Sequence, residues 1–157
     1  MTKNDETQQE KLLYLEDLHV GQQFISDSYT LDSEQVKAFA TEFDPQPFHL
    51  DEKAAKASFF GGLVASGWYT AAITMRLMVD SMGHRFVGGF IGKSGELIWP
   101  RPTYPTDTLH VECEVLDIKP SRSRPEWGTA TIRSQTINQN QHVVQLFVAQ
   151  IMMQRRT

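Results

Sequence analysis

Residues 66–83 read SGWYTAAITMRLMVDSMG, and how this run folds decides the architecture of the chain. Trp68, Ala71, Ala72, Met75, Met78, Val79 and Met82 fall at helical spacing on one face, while Tyr69, Ile73 and Leu77 occupy much of the other. The spacing predicts a long helix that needs surrounding. It should start near Ser66 or Gly67 and end near Met82, with Gly83 placed to supply a left-handed stop.

Downstream of this run the period changes to two. Leu109, Val111, Cys113 and Val115 alternate with His110, Glu112 and Glu114, as a strand with one buried face requires. Further strands are predicted over Gly95–Trp99, Trp127–Ile137 and His142–Met152, with the polar run Asn138-Gln139-Asn140-Gln141 as a hairpin connection. Upstream, Gln22–Thr30 reads as an early strand. LDSEQVKAFATEF (31–43) sets Val36, Phe39, Ala40 and Phe43 on one helical face, with Asp32 and Gln35 spaced as a capping box. Pro45 and Pro47 then forbid continuation and push Asp44 and Gln46 toward extended backbone, so DPQPFH is expected to be a stiff loop. Asp51 can cap a short helix over Glu52–Ser58, which Gly61-Gly62 breaks. One long helix with an early strand before it and an antiparallel meander after it makes an α+β domain, its curved sheet wrapped around the helix.

Composition bounds what such a domain can do. With 157 residues and 40% hydrophobic content the chain suits one domain with a continuous core. Fifteen basic and 19 acidic residues give a net charge of -4 without a block of either sign, which disfavours nucleic-acid and membrane-surface partners. The longest apolar stretch, Gly61–Met75, is interrupted by Ser66, Thr70 and Thr74, so no membrane segment is read. Cys113 is alone and asks for no oxidising compartment, leaving a cytoplasmic location as the default. Residues 1–11 are too polar to offset their ordering entropy and are expected to be a disordered tail before a domain over 12–157.

Two features can carry chemistry. In Asp44-Pro45-Gln46-Pro47-Phe48-His49 a carboxylate and an imidazole stand five residues apart across two prolines. Adding water to a double bond conjugated to a thioester needs one group to take a proton from water and another to protonate the α-carbon, and such a pair supplies both. Asp44 also ends a helix, where the macrodipole disfavours negative charge and would raise its basicity in a dry site. For an arbitrary D-x-x-P-x-H a helix end, a proline turn and a histidine in a polar niche is the better account. Context shifts the balance, because Gly61-Gly62-Leu63-Val64-Ala65-Ser66-Gly67 runs directly into the long helix. Free N–H groups at that start can hold a carbonyl becoming an enolate, with glycine permitting close approach, although a simple helix-entry turn also explains Gly67.

Four stretches together, YLEDLHVG (14–21), FDPQPFHLDEKAAKASFFGGLVASGW (43–68), LIWPRPTYPTDTL (97–109) and PSRSRPEWG (120–128), resemble the MaoC-like dehydratase family, which includes the R-specific enoyl-CoA hydratases. The resemblance spans nearly the whole chain. It implies a hot-dog fold, a homodimer, and a thioester of coenzyme A or acyl carrier protein as substrate, hydrated reversibly from the trans-2-enoyl to the 3-hydroxyacyl form. It assigns catalysis to Asp44, His49 and the N–H of Gly67. No cofactor is expected beyond the carrier thiol. Two departures stand out: Gln46 where the commoner hydratase motif has Asn, and Ser66 where it has His, both expected to bear on substrate binding.

Other residues fill out the expectation. Trp68 and Tyr69 read first as packing residues, although Trp68, next to Gly67, can also line an acyl pocket. Arg122 and Arg124 can meet coenzyme A phosphates, though a solvated loop accounts for them equally well. His19, His84, His110 and His142 have no partners at metal-ligand spacing, so no metal is expected. Arg76 and Asp80 are spaced i, i+4 as a structural pair. The nearest rival function is a hot-dog thioesterase, which needs a carboxylate on the central helix; none occurs there before Asp80. A non-catalytic thioester-binding protein is the third reading, opposed by the intact Asp44 and His49.

Overall fold

The computed structural model describes residues 10–156. Of the tail expected over 1–11, residues 1–9 fall outside the described part. Glu10 accepts from His84 Nε2 at 2.7 Å, and Lys11 Nζ lies 3.6 Å from Asp17.

Six strands form one antiparallel sheet: β1 (Gln23–Ile25), β2 (Tyr29–Thr30), β3 (Ile91–Ile98), β4 (Thr108–Pro120), β5 (Trp127–Ile137) and β6 (Val143–Gln154). Their order is β1-β4-β5-β6-β3, with β2 also pairing β4. The early strand predicted over 22–30 is thus two short pieces, both laid on β4. Four helices, α1 (Ser33–Phe43), α2 (Pro47–Leu50), α3 (Glu52–Lys56) and α4 (Gly67–Ser81), lie between β2 and β3. Register shifts at Gly92/Ser94, Val115/Asp117 and Thr136/Ile137 bend the sheet around α4. This is the hot-dog arrangement expected from the sequence.

The strand pattern matches the alternation that predicted it. On β4, Leu109, Val111, Cys113 and Val115 are buried and pack with Ala130 and Ile132 of β5 and with Ile151 and Met153 of β6. The polar tip between β5 and β6 closes through Asn138, whose N–H donates to His142 O and whose Oδ1 accepts from the N–H groups of Asn140 and His142. Gln141 takes positive φ there.

The long helix has the expected ends, but it is not surrounded as expected, because one side of it faces out. Tyr69, Thr70, Ile73, Thr74, Leu77 and Met78 are buried, whereas Trp68 is 61% exposed and Met75 and Val79 are also exposed. Two threonines lie on the inward stripe. They are accommodated because Thr74 Oγ1 donates to Thr70 O and meets Thr136 Oγ1 at 2.6 Å, while Thr70 Oγ1 donates to Thr103 Oγ1 at 3.1 Å. Gly83 does not stop the helix in left-handed conformation, since its φ is not positive; it begins a 3-10 turn, Gly83–Arg85. Its smallness serves packing, as a Cβ there would lie 2.5 Å from the Phe90 ring.

Candidate active site

Asp32 starts α1 by accepting from the N–H groups of Glu34 and Gln35, and Asp44 ends it with its own N–H on Ala40 O. The reciprocal half of the expected capping box is missing, because Gln35 Oε1 accepts from Tyr29 OH instead. DPQPFH is not loop throughout. Gln46 stays extended, as a residue before proline should, and Pro47 then sits at the first position of α2, where its fixed φ suits a helix and its missing N–H costs nothing. His49 is therefore held on a helical turn, with its N–H on Gln46 O at 3.0 Å.

The two groups predicted to act together meet directly. His49 Nε2 lies 3.1 Å from Asp44 Oδ2. The imidazole is buried, and its Nδ1 is 2.7 Å from Val64 O. A carbonyl only accepts, so Nδ1 carries a hydrogen and Nε2 is the nitrogen that exchanges a proton with the carboxylate. The hydrogen on Nδ1 is inferred from that partner.

Both departures from the commoner motif converge on the same carboxylate. Gln46 Nε2 donates to Asp44 Oδ1 at 2.6 Å, and Ser66 Oγ donates to Asp44 Oδ2 at 2.7 Å. Burial opposes ionisation of Asp44, but these two hydrogen bonds, with the charge and hydrogen bond of His49, outweigh it and hold the carboxyl below its ordinary range. The basicity expected to rise at the helix end is lowered instead. Asp44 is kept as a carboxylate, and the polar atoms of Gln46 and Ser66 are spent on it.

Ser66 also organises the start of α4. Its Oγ accepts from Trp68 N–H at 3.3 Å, and its carbonyl takes the N–H groups of Tyr69 and Thr70 at 3.0 and 3.1 Å. Of the four donors that this helix start leaves over, those of Trp68 and Tyr69 are taken by Ser66, whereas those of Ser66 and Gly67 lack an acceptor among the described residues. A side chain at Gly67 is excluded: a Cβ would come within 2.6–2.9 Å of the Trp99 indole. Trp99 is anchored by Nε1–H on the buried Gln145 Oε1 at 2.9 Å and stacks edge-on with Trp68.

Asp44, His49 and Gly67 line one cleft of about 360 Å³. Phe48, Phe59, Phe60, Trp68 and Trp99 form aromatic walls, Thr70 and Thr103 contribute buried hydroxyls, and Arg101 is its one Lys or Arg. Trp68 is where it was expected. Trp99, Arg101 and Thr103 stand out in the sequence only within the stretch 97–109, where the proline-spaced WPRP is the one sign of a rigid loop. Arg122 and Arg124 are elsewhere. They lie between Pro120 of β4 and Trp127 of β5, at the Gln154 end of the sheet, whereas Ile98, beside Trp99, pairs with Leu146 toward the other end. Arg76 and Asp80 form the expected exposed pair, 2.7 Å apart. Among the described residues no three His, Cys, Asp or Glu side chains gather to hold a metal.

A family model described as MaoC like domain matches residues 17–137. The chain belongs to the MaoC-like dehydratase family. Among solved structures, a MaoC-like dehydratase from Rhodospirillum rubrum superposes with a TM-score of 0.88 at 55% identity, over 92% of this chain and 99% of that one. Bacillus subtilis YdeM, an uncharacterized protein, is 34% identical over 81% of this chain and 89% of its own length. The 3-hydroxybutyryl-CoA dehydratase of Methylorubrum extorquens is 32% identical over 73% of this chain and 71% of its own. In this MaoC-like chain the matched region contains Asp44, His49, Gly67 and the whole cleft lining.

Proposed function

We propose that the protein is an acyl-thioester hydratase, adding water reversibly to a trans-2-enoyl thioester of coenzyme A or acyl carrier protein to give the 3-hydroxyacyl thioester. The observation that carries this reading is the direct Asp44–His49 contact in the same cleft as the open N–H of Gly67. The resting pair holds one proton on His49 Nε2, facing the Asp44 carboxylate. Water is oriented by Asp44; as its oxygen bonds to C3, its proton passes to that carboxylate. The electron pair of the double bond moves toward the thioester oxygen, which the Gly67 N–H stabilises as an enolate. The enolate then takes the Nε2 proton at C2. Hydroxyl and proton arrive from one side, a syn addition. Asp44 now carries the proton that His49 has lost, and the 3.1 Å contact returns it. One water is consumed, and no cofactor enters.

Further support comes from the rival's requirements. A thioesterase would need a carboxylate on α4, and the first, Asp80, is exposed and paired with Arg76. We also propose a homodimer in the cytoplasm: the exposed stripe of Trp68, Met75 and Val79 and the exposed edge strand β3 are surfaces that pairing with a second copy would cover. No helix among the described residues is long and apolar enough to cross a membrane.

The test is a panel of trans-2-enoyl-CoA thioesters, following conjugated-enone absorbance and free thiol together. Absorbance loss without thiol is the expected result. Thiol release would make it a thioesterase, and neither signal would point to an acyl group outside the panel or to a binding-only role.

A further inference from the structure

The cleft contains a cation that the proposed hydration does not use. Arg101 stands between Pro100 and Pro102, which restrict the backbone on either side, in the loop that also supplies Trp99 and Thr103 to the cleft wall. No carboxylate among the described residues pairs with it. The cleft's only carboxylate, Asp44, is already held by Gln46, Ser66 and His49. Arg101 is an exposed residue of the cleft lining, free to offer its guanidinium fork to a planar anion, and a site of this kind takes its specificity from the few polar groups set in an apolar lining.

Resting on the hydratase reading, we propose that Arg101 binds a carboxylate on the acyl group, so that the preferred substrates are short enoyl thioesters ending in a carboxylate. Carrier phosphates are a poorer match. They are separated from the thioester by the whole pantetheine arm, whereas Arg101 lines the same cleft as Asp44, His49 and Gly67. A volume of about 360 Å³ lies at the small end of ligand sites and suits a compact acyl group.

The test measures binding apart from turnover. Wild-type protein and Arg101→Gln are titrated calorimetrically with three saturated thioesters: butanoyl-CoA, 3-carboxypropanoyl-CoA and 4-carboxybutanoyl-CoA. The wild type should bind a carboxylated ligand more tightly than butanoyl-CoA. Arg101→Gln should weaken that ligand by about 10- to 100-fold, as losing a hydrogen bond to a charged group does, and leave butanoyl-CoA unmoved. Equal weakening of all three would assign Arg101 to the carrier and overturn the proposal, as would the absence of a carboxylate preference in the wild type. The unsaturated counterparts are assayed for hydration in parallel. Arg101-dependent binding without hydration would defeat the hydratase reading while sustaining this one.

Discussion

Replacing Ser66 with alanine tests how the carboxylate and the central helix are coupled. The hydroxyl is fully buried and makes two contacts of different weight. The bond from Trp68 N–H to Oγ is long, 3.3 Å, so its loss belongs at the low end of the about 0.5–2 kcal/mol for an N-cap. The bond to Asp44 Oδ2 is 2.7 Å and charge-assisted, a class contributing about 1.5–3 kcal/mol. The second dominates, and because the two share one oxygen they do not add in full. Ser66→Ala should lower unfolding stability by about 2 kcal/mol, read from urea midpoints at constant slope, and by about 2–4 °C in melting temperature per kcal/mol. It should also raise the Asp44 pKa toward its ordinary value, moving the acid limb of the kcat/KM profile to higher pH. Ser66→Thr, which keeps a hydroxyl, should restore much of both. A stability loss with an acid limb identical to wild type would refute the coupling and leave Ser66 as a cap alone.

Further outcomes follow from the same geometry. Gly67→Ala forces its Cβ into the Trp99 ring and should cost about 1–3 kcal/mol with a fall in turnover; in a Trp99→Ala background the same change should cost much less stability, which a double-mutant cycle would measure. Gln46→Leu removes the donor to Asp44 Oδ1 and should shift the acid limb upward, with Gln46→Asn in between. Because the folded-state pKa of Asp44 is depressed, its ionised form stabilises the protein above the unfolded value near 3.9, and that contribution is lost as pH falls through the lower folded one. Comparing acid unfolding of wild type and Asp44→Asn would show it. Asp80→Asn should leave hydration unchanged, since its partner is the exposed Arg76; release of thiol that depends on Asp80 would revive the thioesterase.

Much of this was legible in the residues. Strict alternation placed β4 with its inward side correct, the N-capping residues Asp32, Asp51 and Ser66 marked three helix starts, and the double proline joined Asp44 to His49. What escaped the reading depends on contacts between distant segments. The inward face of α4 could not be chosen from apolar count, because Thr70 and Thr74 become good core residues only when Thr103 and Thr136 arrive to bond them. Gly67 reads as a helix-entry glycine until Trp99, 32 positions away and pinned by Gln145, lies against it. Gln46 and Ser66 looked like substrate contacts because nothing local reveals that both turn back onto Asp44. The raised basicity expected of Asp44 followed from its helix alone, and three side-chain donors reversed it.

The most direct measurement is enoyl-thioester hydration by Asp44→Asn, His49→Ala and the double variant, each shown folded by circular dichroism and thermal melting. Each single change should lower turnover by orders of magnitude, and the double should be little worse than either, because the two side chains pass one proton as a unit. Near-wild-type hydration by either single variant would contradict the account.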